Sequence, residues 1–327
     1  MFYKAELQKK NAIKLDQKLK EYGIPEFTWK FFRAKIKSKA AALKYLSMIK
    51  NFLLYALENN LIQKTEISTL EPQDFNNIMA EDITEYLEIQ EMNGVSPTTL
   101  NTKKNVLRSF WNYLARLSET NIDRDFFEDV TYEGISSSNE NVIEKFPLQS
   151  ELDEMESKIL KISNDFTRNR NLTIFNILKG TGLRKSELIG LDIQNVCLNA
   201  EIPYIKVIGK GKYREEEART VYLSGSVNDE LSKWINYRND MADIYKWDTN
   251  ALFVNINGER LLERGVDGIF DRYGNGITPH MMRHYYISVT RKIDEVFTKQ
   301  QVGHALGITE GTYTNAVYDK KDILANM

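Results

Sequence analysis

The stretch from Glu119 to Lys145 decides how this chain can fold. It holds Asp, Glu, Asn and the run Ser136-Ser137-Ser138-Asn139, with neither a helical nor an alternating apolar period. A segment of that kind has no face to bury, so it reads as a linker. Helical apolar patterning precedes it and resumes after Pro147. The chain has 327 residues, enough for a core on each side. The expected organisation is an N-terminal helical extension over 1–24, a helical domain over 25–118, a linker over 119–146 and a second domain over 147–327. Within 1–24, Ala5, Leu7, Ile13, Leu15 and Leu19 stand among lysines and glutamines, and Gly23 and Pro25 end the helix.

The helical domain sorts its charge. From Thr28 to Leu57 there is no Asp or Glu, while Lys30, Arg33, Lys35, Lys37, Lys39, Lys44 and Lys50 are present. Leu43, Leu46, Leu53 and Leu57 keep helical spacing, which predicts one amphipathic helix with a basic exposed side. Met92 to Ser118 repeats the pattern, with Lys103, Lys104, Arg108 and Arg116 beside an apolar stripe of Leu107, Phe110, Trp111 and Leu114. Ser96-Pro97 opens that helix. An acidic helical stretch, Glu81 to Gln90, lies between them. A lone lysine run is usually a solvated face. Two helices purged of acids predict a surface for a polyanion, with Lys35, Lys37, Lys39, Lys44, Lys103, Lys104 and Arg108 as DNA contacts. The net charge of −2 excludes a protein basic throughout but not a basic face.

The second domain mixes helices with a few strands. Two apolar helical segments over 171–191 break at Gly180-Thr181-Gly182. Ile202 to Ile208 and Arg219 to Leu223 read as a hairpin with Gly209-Lys210-Gly211-Lys212 at its tip. Leu252-Phe253-Val254 reads as another short strand before the Asn257-Gly258 turn. The one cysteine, Cys197, excludes an intramolecular disulfide and a cysteine-rich metal site, and reads as a small buried hydrophobe near a strand. No secretion signal opens the sequence and no uncharged apolar run is long enough for a membrane, so a reducing cytoplasm is expected.

All three histidines, His280, His284 and His304, fall between Ile277 and Tyr313. Histidine titrates nearest neutrality, and Arg283 sits among them, so this segment suits proton handling beside an anion. Taken together, Arg184, Lys210, His280, Arg283, His304 and Tyr313 supply the parts for metal-free phosphoryl transfer. Two guanidinium forks can hold the non-bridging oxygens of a phosphodiester as charge builds there. Arg184 shares a helix face with Glu187, and His280 with Arg283, each pair three residues apart. Thr278 and Pro279 suit an N-cap and first turn, which would turn a helix dipole toward the site. A tyrosine nucleophile gains from nearby cations that lower its pKa, and a lysine on a hairpin tip can protonate the departing oxygen.

These boxes resemble those of the tyrosine recombinase (phage integrase) family. Thr181-Gly182-Leu183-Arg184-x-Ser186-Glu187-Leu188 is similar to its first arginine box, and Val207-Ile208-Gly209-Lys210-Gly211 to its lysine turn. Pro279-His280-x-x-Arg283-His284 is similar to its His-x-x-Arg box, and Gly303-His304 with Tyr313-Thr314 to its closing element. Thr99 to Leu114 resembles the end of its helical core-binding domain. The resemblance implies a mainly α fold with a small antiparallel sheet in the catalytic domain, arranged as a two-domain, C-shaped DNA clamp. It implies that Tyr313 attacks the scissile phosphate to give a 3′-phosphotyrosyl link, that Lys210 is the general acid, and that Arg184, Arg283 and His304 hold the phosphate. His280 would assist proton transfer and Glu187 would orient its basic neighbours. Four protomers would join two duplex recombination sites through a Holliday junction, with no metal, ATP or other cofactor. An accessory protein is a further partner to expect, and association with the nucleoid when DNA is bound.

Lys212 competes with Lys210 and Tyr318 with Tyr313; the Gly-Lys-Gly match and the spacing from His304 favour the first of each. His284 reads as structural. The glutamates between Tyr213 and Glu217 are expected to turn away from DNA or to pair with Arg214 and Arg219. Two other functions use the same fold: a catalytically silent DNA-binding or regulatory protein, and a type IB topoisomerase-like relaxing enzyme. The role could be integration and excision of a mobile element or resolution of DNA multimers.

Overall fold

Two large hydrophobic cores form, and every residue of the first precedes every residue of the second. The structure is a computed structural model that describes residues 3–132, 147–209, 212, 215–293 and 295–303. The chain divides into one unit of Glu6–Ser137 and another of Ser138–Met327 with Met1–Ala5.

Among its described residues the first unit has helices and no strand. Its longer helices are α1 (Tyr3–Glu21), α3 (Lys39–Glu58), α4 (Ala80–Met92) and α5 (Pro97–Leu114), with the short α2 (Glu26–Lys30) between the first two. The core is built from aromatic rings. Phe31 meets Phe110 at 5.3 Å, and Phe52 meets Trp111 at 5.3 Å and Tyr86 at 5.2 Å, all edge to face. Each such pair adds about 0.5–1.5 kcal/mol beyond the area it buries.

Two sequence boundaries move. Residues 1–24 are not an appendage, because Leu15 and Leu19 are fully buried in this core. The expected linker is shorter, because Phe127, Val130 and Tyr132 belong to the same core and Phe126 stacks on Trp111 at 5.9 Å. Phe126 and Phe127 enter from a single 3-10 turn, Phe126–Glu128, and Val130 and Tyr132 follow in irregular chain. The first acid-free stretch is also not one helix. A single π turn, Phe31–Lys35, follows α2, the chain extends at Ile36, and Ser38 caps a new helix by accepting from the Ala41 N–H at 3.3 Å. That break lets Phe31, Phe32 and Ile36 all point inward.

The second unit surrounds a small sheet with helices. These are α6 (Gln149–Leu160), α7 (Asp165–Thr181), the short α8 (Lys185–Ile189), α9 (Gly225–Tyr245), α10 (Glu263–Tyr273), α11 (Pro279–Arg291) and α12 (Glu295–Val302). The sheet has the order β1-β2-β3, all antiparallel. Its strands are β1 (Val196–Cys197), β2 (Tyr204–Val207) and β3 (Arg219–Tyr222). Ile205 pairs with Val221, both fully buried, while Lys206 pairs with Thr220 on the opposite face. β1 was not expected; two residues are too few for alternation to show. Cys197 lies in it and is half-buried rather than buried. Leu252-Phe253-Val254 is not a strand of that sheet: its neighbourhood forms isolated bridges, Asp192 with Ala251 and Val254 with Arg260. Its apolar run instead fills the core, roofed by Trp234, whose indole N–H donates to the Leu252 carbonyl at 2.9 Å. Among the described residues no helix is long and apolar enough to cross a membrane.

Candidate active site

Glycine begins the site. Gly182 ends α7 in the left-handed region, φ 61°, with its N–H on the Leu178 carbonyl. A Cβ there would lie 2.5 Å from the Tyr286 ring of α11, so a side chain is excluded twice over. The turn delivers Arg184 to the N-cap of α8. Glu187, three residues on, reaches back: its Oε2 accepts from the Arg184 backbone N–H at 3.0 Å and its Oε1 from Arg184 Nη1 at 3.0 Å. The pair is therefore a cap closed by a charge, not merely two side chains on one face.

Glu187 is shared. Arg219, the first residue of β3, places Nη1 3.0 Å from Glu187 Oε1 and Nη2 2.9 Å from Oε2. Each carboxylate oxygen so takes two donors, in a fork-to-fork geometry for Arg219. The Glu187 side chain is 2% exposed and that of Arg219 14%, while Arg184 keeps 23%. Burial pushes the Glu187 carboxyl up, but Arg219 and Arg184 outweigh it and hold the group below its ordinary pKa. Both Nη atoms of Arg219, one expected partner of the nearby glutamate run, go to this buried carboxylate.

Arg283 comes from α11. Thr278 caps that helix, its hydroxyl accepting from Met281 N at 3.3 Å, and Pro279 is the first helical residue. Arg283 is 5% exposed. It donates from Nη1 to the Gly182 carbonyl at 2.6 Å and from Nη2 to the Val302 carbonyl at 2.9 Å. Two of its five N–H donors are thus fixed by backbone. Burial, and then Arg184, lower its pKa to about 10, so it stays charged at neutral pH. His280 sits one turn earlier, open to solvent on one side. Partial desolvation, Arg283 and Arg184 hold its pKa below the ordinary histidine value. Its ring meets that of His284 edge to face at 4.2 Å. Burial, His280 and Arg283 bring His284 down to about 4, so it is neutral at pH 7.

Arg184, Arg283 and His280 line one open cavity of about 320 Å³ together with Lys185, Ser186 and Thr278. Two acids, Asp267 and Glu263, lie on the same wall, and Lys185 holds them at 2.7 and 3.5 Å, so its one charge offsets one of the two. Lys4, outside this cavity, donates to the carbonyls of Ile208 and Gly209, immediately before Lys210 in sequence. The result is a pocket that presents two guanidinium groups held in place before any anion arrives, which is the arrangement that stabilises charge developing on a phosphoryl group.

Of the expected catalytic set, Arg184, His280 and Arg283 converge, with Glu187 beneath them. Lys210, His304 and Tyr313 lie outside the described residues, as do Arg214 and Tyr318. Lys212 is described and exposed. Sequence reading missed Arg219 as a part of the site. The signal was available only as a basic residue opening a strand opposite Val207.

The DNA contacts expected of the first unit are sorted by the structure. Lys35, Lys37, Lys44 and Arg108 are exposed, and Lys39 is half-exposed. Lys103 is not available on the surface: it is buried, donates to Gln90 Oε1 and lies over the Tyr86 ring. Its stem belongs to the apolar stripe, so the basic pair divides between the two faces of the helix. Lys104 spends its ammonium on the carbonyls of Val130 and Tyr132, at 3.0 and 2.6 Å.

Known proteins resemble the chain along most of its length. The chain is 24% identical to the tyrosine recombinase XerS of Streptococcus thermophilus, over 95% of this chain and 98% of that one. It is 28% identical to the tyrosine recombinase XerC of Thermodesulfovibrio yellowstonii, over 83% and 90%. Among solved structures, the XerH site-specific recombinase bound to a palindromic difH substrate superposes with a TM-score of 0.63 at 20% identity, over 88% of this chain and 79% of that one. Residues 151–320 match the phage integrase family. The chain belongs to that family, the tyrosine recombinases, and is a site-specific DNA recombinase.

Proposed function

We propose that this recombinase exchanges strands between two copies of a short duplex site through a 3′-phosphotyrosyl intermediate, and that its role is the resolution of DNA multimers. The observation that carries the chemistry is the pocket in which Arg184 and Arg283 are fixed by Glu187 and by backbone carbonyls. Tyr313 Oη attacks the scissile phosphorus, the bond from phosphorus to the 5′ oxygen breaks, and Lys210 gives that oxygen its proton. Arg184, Arg283 and His304 hold the non-bridging oxygens, and His280 assists transfer of the tyrosine proton. Its depressed pKa keeps it neutral and able to accept at pH 7. The 5′-hydroxyl of a partner duplex then attacks the phosphotyrosine. Two such rounds pass through a Holliday junction, carried by four protomers on two duplexes. The bond energy stays in the phosphotyrosine, so no metal or ATP enters.

Similarity to the tyrosine recombinase XerS along nearly the whole of both chains supports a Xer-like recombinase, the kind to which we assign multimer resolution. The exposed Lys35, Lys37 and Lys44 of the first unit, with Arg108, hold the DNA backbone. Lys35 reaches the Ser109 carbonyl at 3.4 Å, so the two acid-free segments meet there. The protein works in the cytoplasm on nucleoid DNA, with or without an accessory protein.

The test is covalent trapping. A site is enriched from a random duplex library by binding, then nicked beside each phosphate so that a cleaved end diffuses away. The expected product is a protein–DNA adduct that Tyr313→Phe abolishes and Tyr318→Phe leaves. Loss with Tyr318→Phe alone would move the nucleophile, absence of any adduct would support a silent binding protein, and supercoil relaxation without recombinants would support the topoisomerase-like activity.

A further inference from the structure

Like Arg283, which bridges them through the Gly182 and Val302 carbonyls, Arg219 joins two parts of the site, the first arginine box and the end of α12. Its two Nη atoms grip Glu187, the cap of the first arginine box. Its Nε donates to the Gln301 carbonyl at 2.9 Å, in the last turn of α12. Gln301 is 1% exposed and uses its side chain as well: Oε1 accepts from the Tyr222 N–H at 3.0 Å, at the far end of β3. The end of α12 is therefore riveted to β3 at both ends of the strand. Gly303 then leaves the helix at φ +62°, and a Cβ on it would stand 2.4 Å from Arg219 Cδ and 2.5 Å from Nε. The backbone lies directly on the Arg219 side chain, closer than any other residue type allows. His304 follows by one peptide bond.

A residue needed only for folding could fill this space with an apolar side chain, since burying a guanidinium and a carboxylate gains little net stability over a hydrophobic replacement. The retained ion pair instead fixes direction. The planar fork allows one orientation of Glu187, and the third donor sets the height of the α12 terminus relative to Arg184. We propose that Arg219 is a positioning residue for strand cleavage, registering the backbone that enters His304 against the Arg184–Glu187 cap. This rests on the reading of His304 as a phosphate ligand given above. Arg219 touches no reacting atom; it acts through residue 304 and through Glu187.

The experiment is a double-mutant cycle read by single-turnover cleavage of the nicked site, with DNA affinity measured alongside. Arg219→Gln is expected to slow cleavage on the order of 10²-fold, the usual effect of a misplaced group about 1 Å away, with unchanged affinity. In a His304→Gln background the same substitution is expected to have no further effect, because the group it positions is gone. Gly303→Ala, which pushes on Arg219 from the other side, is expected to reproduce the slow cleavage. Equal slowing in both backgrounds, or a loss confined to affinity or thermal stability, would overturn the proposal. If Arg219→Gln does not fold, Arg219→Lys keeps the charge beside Glu187, loses the Nε bond and is read through the same cycle. No cleavage by the unsubstituted protein would overturn the proposed function itself, which separates the two failures.

Discussion

In the first unit the cations of the acid-free segments are held one at a time. Lys104 donates to two loop carbonyls, Lys35 to one helix carbonyl, and Arg108 lies over Phe127 at 5.8 Å. In the second unit Arg184 and Arg219 share one buried carboxylate, and Arg283 is pinned by two carbonyls from different elements. The first arrangement holds each charge through contacts of its own, with no shared carboxylate that ties one cation to the next. The second leaves almost nothing to move. Binding a long polyanion tolerates the first, because many interchangeable contacts add up. Stabilising a transition state needs the second, because donors must already point where charge will appear.

Removing the shared carboxylate is the most direct way to break that contrast. Glu187→Gln leaves two guanidinium groups facing each other below the surface, and breaking a buried pair costs about 3–5 kcal/mol. Urea unfolding should show a loss of that size, together with lost cleavage. A loss no larger than that of an exposed ion pair, about 0–1 kcal/mol, would show that the network is not rigid. Arg184→Ala should spare folding better, because Arg219 still holds both carboxylate oxygens. It should lower adduct formation by about 10²–10³-fold, as removal of one preorganised donor does, at unchanged DNA affinity. Affinity falling in parallel with the rate would place Arg184 among the ground-state contacts.

What the sequence made legible follows the same division. Boxes near in sequence or fixed by capping rules, such as Thr278-Pro279 and Arg184 with Glu187, could be read because local chemistry specifies them. The mainly helical fold and the hairpin followed from period and turn residues. Arg219 could not be read, because its partners lie 32 and 82 residues away and nothing in β3 announces them. The acid-free helices were legible as charge but not as geometry. Lys103 and Lys104 are adjacent, and one residue's rotation on a helix, about 100°, puts one ammonium under the surface. The N-terminal helix read as an extension because its few apolar residues are diluted by lysine; its Leu15 and Leu19 lie in the core.

A smaller effect separates the units by pH. His284 is brought to about 4 and His280 is lowered as well, whereas an unfolded histidine binds its proton near 6.5. Below 6.5 the unfolded chain takes up protons that the folded chain refuses, so stability falls as pH drops from 6.5 toward 4 and is flat above. Glu187 adds a loss of the same sign only below the carboxylate range, because its pKa is depressed. Unfolding followed against pH should show the histidine slope for the second unit alone, and His284→Gln should remove part of it. All three histidines fall in that unit, so an equal slope in the first would require some other group.

The smallest expected change is in salt dependence, and it sharpens the other side of the comparison. Lys44 is exposed on α3 while Lys104 caps carbonyls of the segment at 130–132. If the first unit binds DNA with cations that are individually replaceable, Lys44→Gln should reduce the slope of log affinity against log salt by about one contact, and leave the cleavage rate of bound DNA unaltered. Lys104→Gln should leave the slope nearly where it was and instead loosen the segment that carries Val130 and Tyr132. A slope that drops for Lys104 and not for Lys44 would mean that DNA pulls the ammonium off those carbonyls. The loop would then be part of the binding equilibrium, and the first unit would share some of the coupling assigned here to the second.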